Sequence, residues 1–525
     1  MTPDPSPTDT SSPNTSSPDA STPNTHAPDT GSPDTGSPNT GSPNTTAIPP
    51  HLVPRWEHEA DVVIVGHGGA GASAAIESAR AGADTLVLER MTRGGGTTAL
   101  STGVIYFGGG TRPQLACGFD DPVEEMVKHV RLAAGRHADE EKVRLYCEGS
   151  VEHFDWVCGL GVEFDESFVA EKTTHPFGPE TLFFSGNEKV HPFADQAAPA
   201  PRGHKPARPG EVGGYLMEFF LTATHEAGAA VLNECRVERL VQDPDTRRVL
   251  GVVADHDGTT VHIRARRGVI LAAGGFIMNK EMLAEHAPDL LRCNWEAASP
   301  ADDGLGIRVG QGAGADVVNM AEGLVVNAIY PPGSHCKGVL VNEQGQRFVN
   351  EDAYVGRTSD AMLRRADGRC WLILDDEIHG PTQAFHKVAA VEGTIAELEA
   401  SLGIPEGQLV HTVDTYNRFA ARGEDPLFHK AAEYLRPLGD GPFGALDCTT
   451  ENSIYAGFTF GGLATRATGE VLDPSGTPIP ALYAAGRVAA GLPLEGRTYA
   501  SGLSIGDATF FGRVAGRHAA AASPR

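Results

Sequence analysis

The strongest constraint on this chain is a five-residue run, Asp61-Val62-Val63-Ile64-Val65, that leads straight into Gly66-His67-Gly68-Gly69-Ala70-Gly71. The β-branched run suits a strand buried on both faces. Residues 70–80 are alanine-rich with helical spacing and Gly82 closes them, after which Thr85-Leu86-Val87-Leu88 forms a second strand ending at Glu89. Strand, glycine turn, helix and strand make a β-α-β unit. In this setting G-x-G-x-x-G predicts a dinucleotide site. Gly66 makes the tight turn, Gly68 admits a pyrophosphate, and Gly71 lets helix pack on strand. Gly69 and Ala70 open a helix whose N–H groups and dipole face the phosphates. Glu89 is placed to accept from ribose hydroxyls, which disfavours a 2′-phosphate. His67 fills a variable position of the fingerprint.

Two more apolar strands stop at glycine. They are Gly268-Val269-Ile270-Leu271-Ala272-Ala273 before Gly274, and Ala481-Leu482-Tyr483-Ala484-Ala485 before Gly486. Three such strands predict one parallel sheet assembled from distant segments. Separate hairpin strands are expected at 252–254 and 261–263, and helices at 122–134, 140–159, 213–228 and 507–521. The stretch 323–446 alternates strands with charged helices and has no glycine fingerprint, so it reads as an insertion. Residues 1–50 are almost entirely Ser, Pro, Thr, Asp, Asn and Gly, a composition that cannot bury a core. The expected organisation is a disordered tail (1–55), the first part of a nucleotide-binding domain (56–322), a capping or catalytic domain (323–446) and the second part of the nucleotide-binding domain (447–525).

A formal charge of −26 argues against nucleic acid or an anionic membrane surface as partner. The eight cysteines form no C-x-x-C, which leaves no spacing for zinc, haem or a redox dithiol, and no metal is expected. No apolar run long enough to span a membrane is present, and no secretory signal or twin arginine opens the chain, so a cytoplasmic location is expected.

The segment after Glu89-Arg90 decides between nucleotides. Gly94-Gly95-Gly96-Thr97-Thr98-Ala99-Leu100-Ser101-Thr102-Gly103 is a hydroxyl-bearing glycine loop where an NAD domain would continue into a helix, and such a loop can wrap the flavin end of FAD. Near the C-terminus, Leu482-Tyr483-Ala484-Ala485-Gly486-Arg487 is followed by Tyr499-Ala500-Ser501-Gly502-Leu503-Ser504-Ile505-Gly506 and then by helical sequence. A helix N-terminus at flavin N1 and O2 would stabilise the reduced anion.

From about Asp61 to Gly516 these motifs resemble the flavoprotein family that contains fumarate reductase flavoprotein subunits and 3-ketosteroid dehydrogenases. Asp302-Asp303-Gly304-Leu305-Gly306, Phe348-Val349-Asn350-Glu351 and Gly461-Gly462-Leu463 carry the likeness along with the segments above. The resemblance implies an α/β fold, a Rossmann-like FAD-binding domain of glutathione-reductase type with an inserted α+β capping or catalytic domain. It implies FAD contacts from Gly66, Gly68, Gly69, Ala70, Gly71, Glu89 and Arg90, and from Gly95, Gly96, Thr97, Thr98, Ser101, Thr102 and Gly103. Further contacts are implied for Val237, Ala273, Gly274, Asn279, Asp303, Gly486, Arg487, Ser504 and Ile505. Arg487 departs from relatives that carry glutamate after Ala-Ala-Gly.

Within the family, dicarboxylate reductases place histidine before Thr-x-Gly-Gly, whereas this chain has Phe458 before Thr459-Phe460-Gly461-Gly462. A dianion would lose a partner there, although Arg357 stands near the position of the proton-donating arginine. Gly496-Arg497-Thr498-Tyr499-Ala500-Ser501-Gly502 resembles the 3-oxo-5α-steroid 4-dehydrogenases, as do residues 105–111 and 350–354; the 1-dehydrogenases carry a Tyr-Pro-Gly-Pro-Gly type sequence instead. The expected substrate is therefore a steroid-like ketone, with an external acceptor reoxidising the flavin. A fumarate-reductase-like or enoate reductase, a 3-ketosteroid 1-dehydrogenase and a flavin-binding protein without turnover are the alternatives. Dehydrogenating a ketone needs a donor to the carbonyl, a base for the α proton and flavin N5 facing the β hydrogen. Tyr499 is the candidate donor, aided by a backbone N–H near Leu503. Ser501 is the candidate over the α carbon, with Tyr354 relaying or sharing the proton, and the three roles can be permuted. As plain structural readings, Tyr354 could be a core aromatic, Ser501 a helix cap, and Tyr106 and Arg357 lining or structural residues.

Overall fold

The predicted β-α-β unit forms at the centre of the computed structural model, which describes residues 44–380 and 386–524. Strand β1 (His58–Val65) is followed by helix α1 (Gly69–Arg80) and strand β2 (Thr85–Leu88). Val62 to Val65 pair in parallel with Thr85 to Leu88 on one side and with Gly268 to Leu271 on the other. This double pairing explains why Val62, Val63 and Ile64 are fully buried and why the run is apolar throughout. The parallel strands lie in the order Pro478–Ala484, Thr259–Leu271, β1, β2, Ala230–Leu232, so three remote segments meet on one sheet. Their carboxyl ends all point to the edge where α1 begins.

Several expectations are corrected. The strands placed separately at 261–263 and 268–273 are one strand, Thr259–Leu271, which starts as the antiparallel partner of Val249–His256 and ends inside the parallel sheet. The helix expected over 140–159 is two, Glu140–Glu148 and Ser150–Gly159, interrupted at Gly149 (φ −88°, ψ 1°), where the ring of Phe510 leaves no room for a side chain. The C-terminal helix is Leu503–Ala521, beginning four residues before the predicted 507.

Most of the proposed tail (1–43) lies outside the described residues, but 44–55 do not behave as a tail. Ala47 N–H donates to Gly312 O (3.0 Å), Ile48 N–H to Leu240 O (2.9 Å), and Gln242 N–H to Ile48 O (2.9 Å). Backbone pairing, which composition does not report, docks this segment onto the sheet.

The excursion between Leu271 and Pro478 carries its own antiparallel sheet, in the order Val339–Asn342, Cys370–Asp375, Phe443–Asp447, Val388–Glu392. Helices Val355–Arg364, Ile395–Ser401 and Gln408–Ala420 accompany it. Its base is an antiparallel ribbon of Gly323–Val326 with Ala456–Thr459, so the return to the nucleotide-binding part lies past residue 446.

The C-terminal helix packs on α1 with almost no side chain between them. A Cβ on Gly512 would stand 2.4 Å from Ala70 O, one on Gly516 2.4 Å from Ala74 O, and Ser78 Oγ donates to Gly516 O at 3.1 Å. Contacts rise together along both helices, so they run parallel. Leu503 is nine residues before Gly512 while Gly69 is one before Ala70, which carries the later helix start about 12 Å beyond that of α1 at 1.5 Å per residue. The two helix N-termini thus open on the same side of the sheet, offset along one direction, as the two ends of the expected nucleotide site. Among the described residues no helix is long and apolar enough to cross a membrane, and no group of His, Cys, Asp and Glu could hold a metal ion.

Candidate active site

At the first helix N-terminus the backbone comes as close as glycine allows: a Cβ on Gly71 would lie 1.9 Å from Gly66 O. Gly68 differs, since nothing comes nearer than 3.7 Å to where its Cβ would be, and the open side is the one a pyrophosphate would approach. Thr98 Oγ1 accepts from Gly69 N–H (3.3 Å), tying the glycine loop to the fingerprint. Gly95 N–H donates to His67 O at 2.8 Å, and Ser101 Oγ, which donates to Thr98 O at 2.7 Å, accepts from Gly103 N–H at 3.1 Å. Thr102 O accepts from Val212 N–H at 3.3 Å. The loop predicted to wrap the flavin end is therefore folded against the fingerprint, including Gly96, whose Cα is left-handed and faces Gly68.

Glu89 is 6% exposed, and its two oxygens accept from His67 N–H (2.8 Å) and Met91 N–H (2.9 Å). Burial raises its pKa, against those backbone bonds. Cys235 N–H donates to Glu89 O (2.9 Å), placing Val237, two residues along its strand, at this adenosine end. His67 turns away from the cleft, its Nε2 3.3 Å from Thr224 Oγ1, as suits a variable position. Arg90 pairs with Asp303 (2.8 Å), and Asn279 donates from Nδ2 to Asp303 O (2.9 Å) while capping the helix Lys280–His286. Ala273 and Gly274 leave the carboxyl end of their strand beside Asp302, a residue the sequence reading passed over although it adjoins Asp303. Thr97 Oγ1 donates to Asp302 Oδ2 (3.0 Å), and Arg487 forms a close ion pair with the same oxygen. Gly486 packs on Ala70, which brings Arg487 to the fingerprint.

The second helix N-terminus carries the three candidate catalytic residues. Tyr499 Oη accepts from Ser504 N–H at 3.2 Å while Leu503 N–H donates to Ala500 O, so the helix-start amide that reaches the phenol is that of Ser504. Ser504 and Ile505 form the first turn. Ser501 is not a cap: the N-cap is Gly502, with no side-chain bond, and Ser501 Oγ lies 3.1 Å from Tyr354 Oη. Those two residues are 147 apart in the chain. Tyr354 and Tyr499 have ring centroids 6.1 Å apart, and Phe458 and Phe460 stand 6.1 and 5.3 Å from Tyr499.

The phenols are not equivalent. Burial pushes the Tyr499 hydroxyl up to about 12, tempered by backbone N–H groups of the helix start and by Arg487. Burial drives Tyr354 higher still, with Tyr499 adding to the shift. Tyr499 is the better acid and the Tyr354 oxygen, once ionised, the stronger base.

What seats these groups is invisible to motif reading. Tyr354 N–H donates to Asn187 Oδ1 (2.9 Å), and Ser501 is clasped by Ser185 through Ser501 N–H to Ser185 O (2.9 Å) and Ser185 Oγ to Ser501 O (3.0 Å). Upstream of Tyr354, buried Glu351 pairs with Arg347 (2.8 Å) and Lys430 (2.9 Å), and Arg347 also pairs with Asp425 (3.0 Å). Asn187, Ser185 and Lys430 stand in loop sequence with no periodicity to flag them. Tyr106 is fully buried and donates to Glu188 Oε1 (3.0 Å), and Arg357 lies over the Phe193 ring.

A dinucleotide cleft of this length, with a hydroxyl-bearing loop at one helix start and a phenol at the other, defines a flavin-dependent oxidoreductase. The chain belongs to the FAD binding domain family, whose model matches residues 61–496, and its cofactor is FAD. It is 30% identical over 504 residues to the 3-oxo-5-alpha-steroid 4-dehydrogenase of Comamonas testosteroni, across 82% of this chain and 93% of the relative. A solved structure of the 3-ketosteroid-Δ4-(5α)-dehydrogenase from Rhodococcus jostii RHA1, in complex with 4-androstene-3,17-dione, is 44% identical, with TM-score 0.86 over 90% of this chain and 99% of that one. The open conformation of a flavocytochrome c3 fumarate reductase is more remote, 26% identical with TM-score 0.64 over 89% of this chain and 78% of that one.

Proposed function

We propose that this enzyme oxidises 3-ketosteroids, introducing a double bond between C4 and C5. FAD, when bound, supplies the hydride acceptor, its N5. Tyr499 donates a hydrogen bond to the C3 ketone, and its acidity is kept within reach by the helix-start amide on its oxygen. The ketone so polarised acidifies the adjacent carbon. Ser501 Oγ takes the C4 proton as its own hydroxyl proton passes along the hydrogen bond to the Tyr354 oxygen, which acts in its ionised form as the base, since a lone serine is too weak. Phe458 and Phe460 give an apolar wall that suits a steroid ring system, with Phe458 at the position where a dicarboxylate reductase would carry histidine. The inserted part, from Gly323 to past residue 446, acts as the cap that brings Tyr354 to this wall.

The observation that carries the reading is the meeting of Tyr354 and Ser501 beside Tyr499, two phenols and a serine with no histidine among them. An external acceptor reoxidises the flavin, because one glycine fingerprint serves one dinucleotide. The eight cysteines are all free thiols, which fits the cytoplasm.

The test is anaerobic titration of the purified yellow protein with a 5α-3-ketosteroid. Bleaching of the flavin band is expected, and fumarate should not restore it. Tyr499→Phe should keep the flavin spectrum yet slow bleaching by about 10²–10³-fold. Undiminished bleaching in the variant would remove Tyr499 from the mechanism, and no bleaching of the parent protein would remove the steroid.

A further inference from the structure

Arg487 is the position where this chain departs from relatives with glutamate, and its surroundings are unusual for a cation. The side chain is 12% exposed. One terminal nitrogen, Nη2, is held by Asp302, whose carboxylate also accepts from Thr97 of the flavin loop. The guanidinium lies over the Phe458 ring, 5.3 Å from its centroid, and Phe458 in turn packs on Tyr499. The other nitrogen, Nη1, is buried and has no hydrogen-bond partner in the protein. It stands 3.7 Å from the position a Cβ on Gly275 would take, at the carboxyl end of the central strand.

A buried guanidinium N–H without an acceptor is costly, and native structures supply one. The arginine is gripped from one side and stacked from another, so the fork is pre-organised and its free donor points in one fixed direction. It lies between the Thr97 loop and the Phe458–Tyr499 wall, with Gly486 before it packed on Ala70 of the fingerprint, so it stands between the glycine turn and the candidate catalytic residues.

We propose that Arg487 is the fixed cation at the redox end of the FAD site: its free Nη1 donates to a carbonyl oxygen of the isoalloxazine, and its charge stabilises the reduced, anionic form. This rests on the FAD assignment and deepens the proposed dehydrogenase reading, because a substrate as hard to oxidise as a saturated ketone is helped by a flavin of raised potential. Where relatives carry a carboxylate, this chain carries the opposite charge and neutralises it only in part through Asp302.

The experiment is the two-electron midpoint potential of the bound flavin, measured against reference dyes without any steroid. Arg487→Gln should favour the oxidised form by about tenfold, a fall of ~30 mV for a two-electron couple. Asp302→Asn, which strips the arginine of its counter-charge, should move the potential upward by a similar amount. An Arg487→Gln protein with weaker FAD binding but an unchanged potential would place the arginine at the pyrophosphate and overturn the proposal. If Arg487→Gln does not retain flavin, Asp302→Asn decides, and an unchanged potential there overturns it equally. A shifted potential in a protein whose parent is not bleached by ketosteroid would support this proposal while sinking the steroid reading, so the two fail separately.

Discussion

The two ends of the cleft are built by different means. At the pyrophosphate end the chain turns, touches and retreats within a few residues: Gly66, Gly71, Glu89 and the Thr98 loop are joined largely through backbone groups. At the substrate end Tyr354 and Ser501 are held by residues far away, although Tyr499 takes the amide of nearby Ser504. Tyr354 reaches Ser501 across 147 residues and is backed by Glu351, which is buried between Arg347 and Lys430. Local backbone economy at one end and long-range side-chain anchoring at the other suggest different vulnerabilities, the first steric and the second electrostatic.

The largest effect should come from the steric end. Gly71→Val places carbon where Gly66 O already stands, 1.9 Å away, and no rotamer relieves a clash with backbone. The expected result is protein without flavin or without a soluble fold, read as the ratio of flavin to protein absorbance. A Gly71→Val protein with full flavin content would break the comparison.

The electrostatic end should fail by a smaller, measurable amount. Glu351→Gln leaves Arg347 and Lys430 facing a neutral amide in a buried site, and removing one member of such a cluster costs about 3–5 kcal/mol. Denaturant unfolding should show that loss, and bleaching by ketosteroid should slow because the Asn350–Tyr354 turn loosens. Unchanged bleaching in a destabilised protein would separate the anchor from Tyr354.

The smallest effect sharpens the boundary between the two ends. Asp507 lies in the C-terminal helix, accepts from Leu492 N–H (2.8 Å), and is held by burial at a pKa of about 6, raised from its ordinary value. The folded protein therefore keeps a proton that the unfolded chain releases between the ordinary aspartate range and pH 6. Stability from this group is present at low pH and declines as pH rises through that window. Asp507→Asn keeps an acceptor for Leu492 and should abolish the decline, gaining about 3 kcal/mol at pH 7 and little at pH 4. Equal pH profiles of thermal unfolding for the two proteins would count against it.

Much of this was legible beforehand, and unevenly so. The β-α-β unit, the glycine-ended strands and the cofactor all follow from local pattern, because a pyrophosphate forces particular residue types into particular positions within some thirty residues of chain. Tyr354, Ser501 and Tyr499 were reachable through family likeness, yet their hydrogen bond was not. Asp302 was missed beside the chosen Asp303 because nothing in Asp-Asp-Gly says which carboxylate turns toward Arg487. The docked segment 44–55 was assigned to the tail because its hydrogen bonds are made by backbone, which carries no compositional mark.

By itself, then, the order of residues determined that this chain binds FAD at the carboxyl edge of a parallel sheet, since strand, glycine turn and helix are encoded by neighbours. Only the tertiary structure decided which oxygen faces which at the substrate end. There the partners come from loops and a cap separated by more than a hundred residues, and side-chain directions depend on how those pieces pack. The charge beside the flavin belongs to the same class: Arg487 could be read as a departure from its relatives, but its grip on Asp302 and its unanswered N–H exist only in the fold.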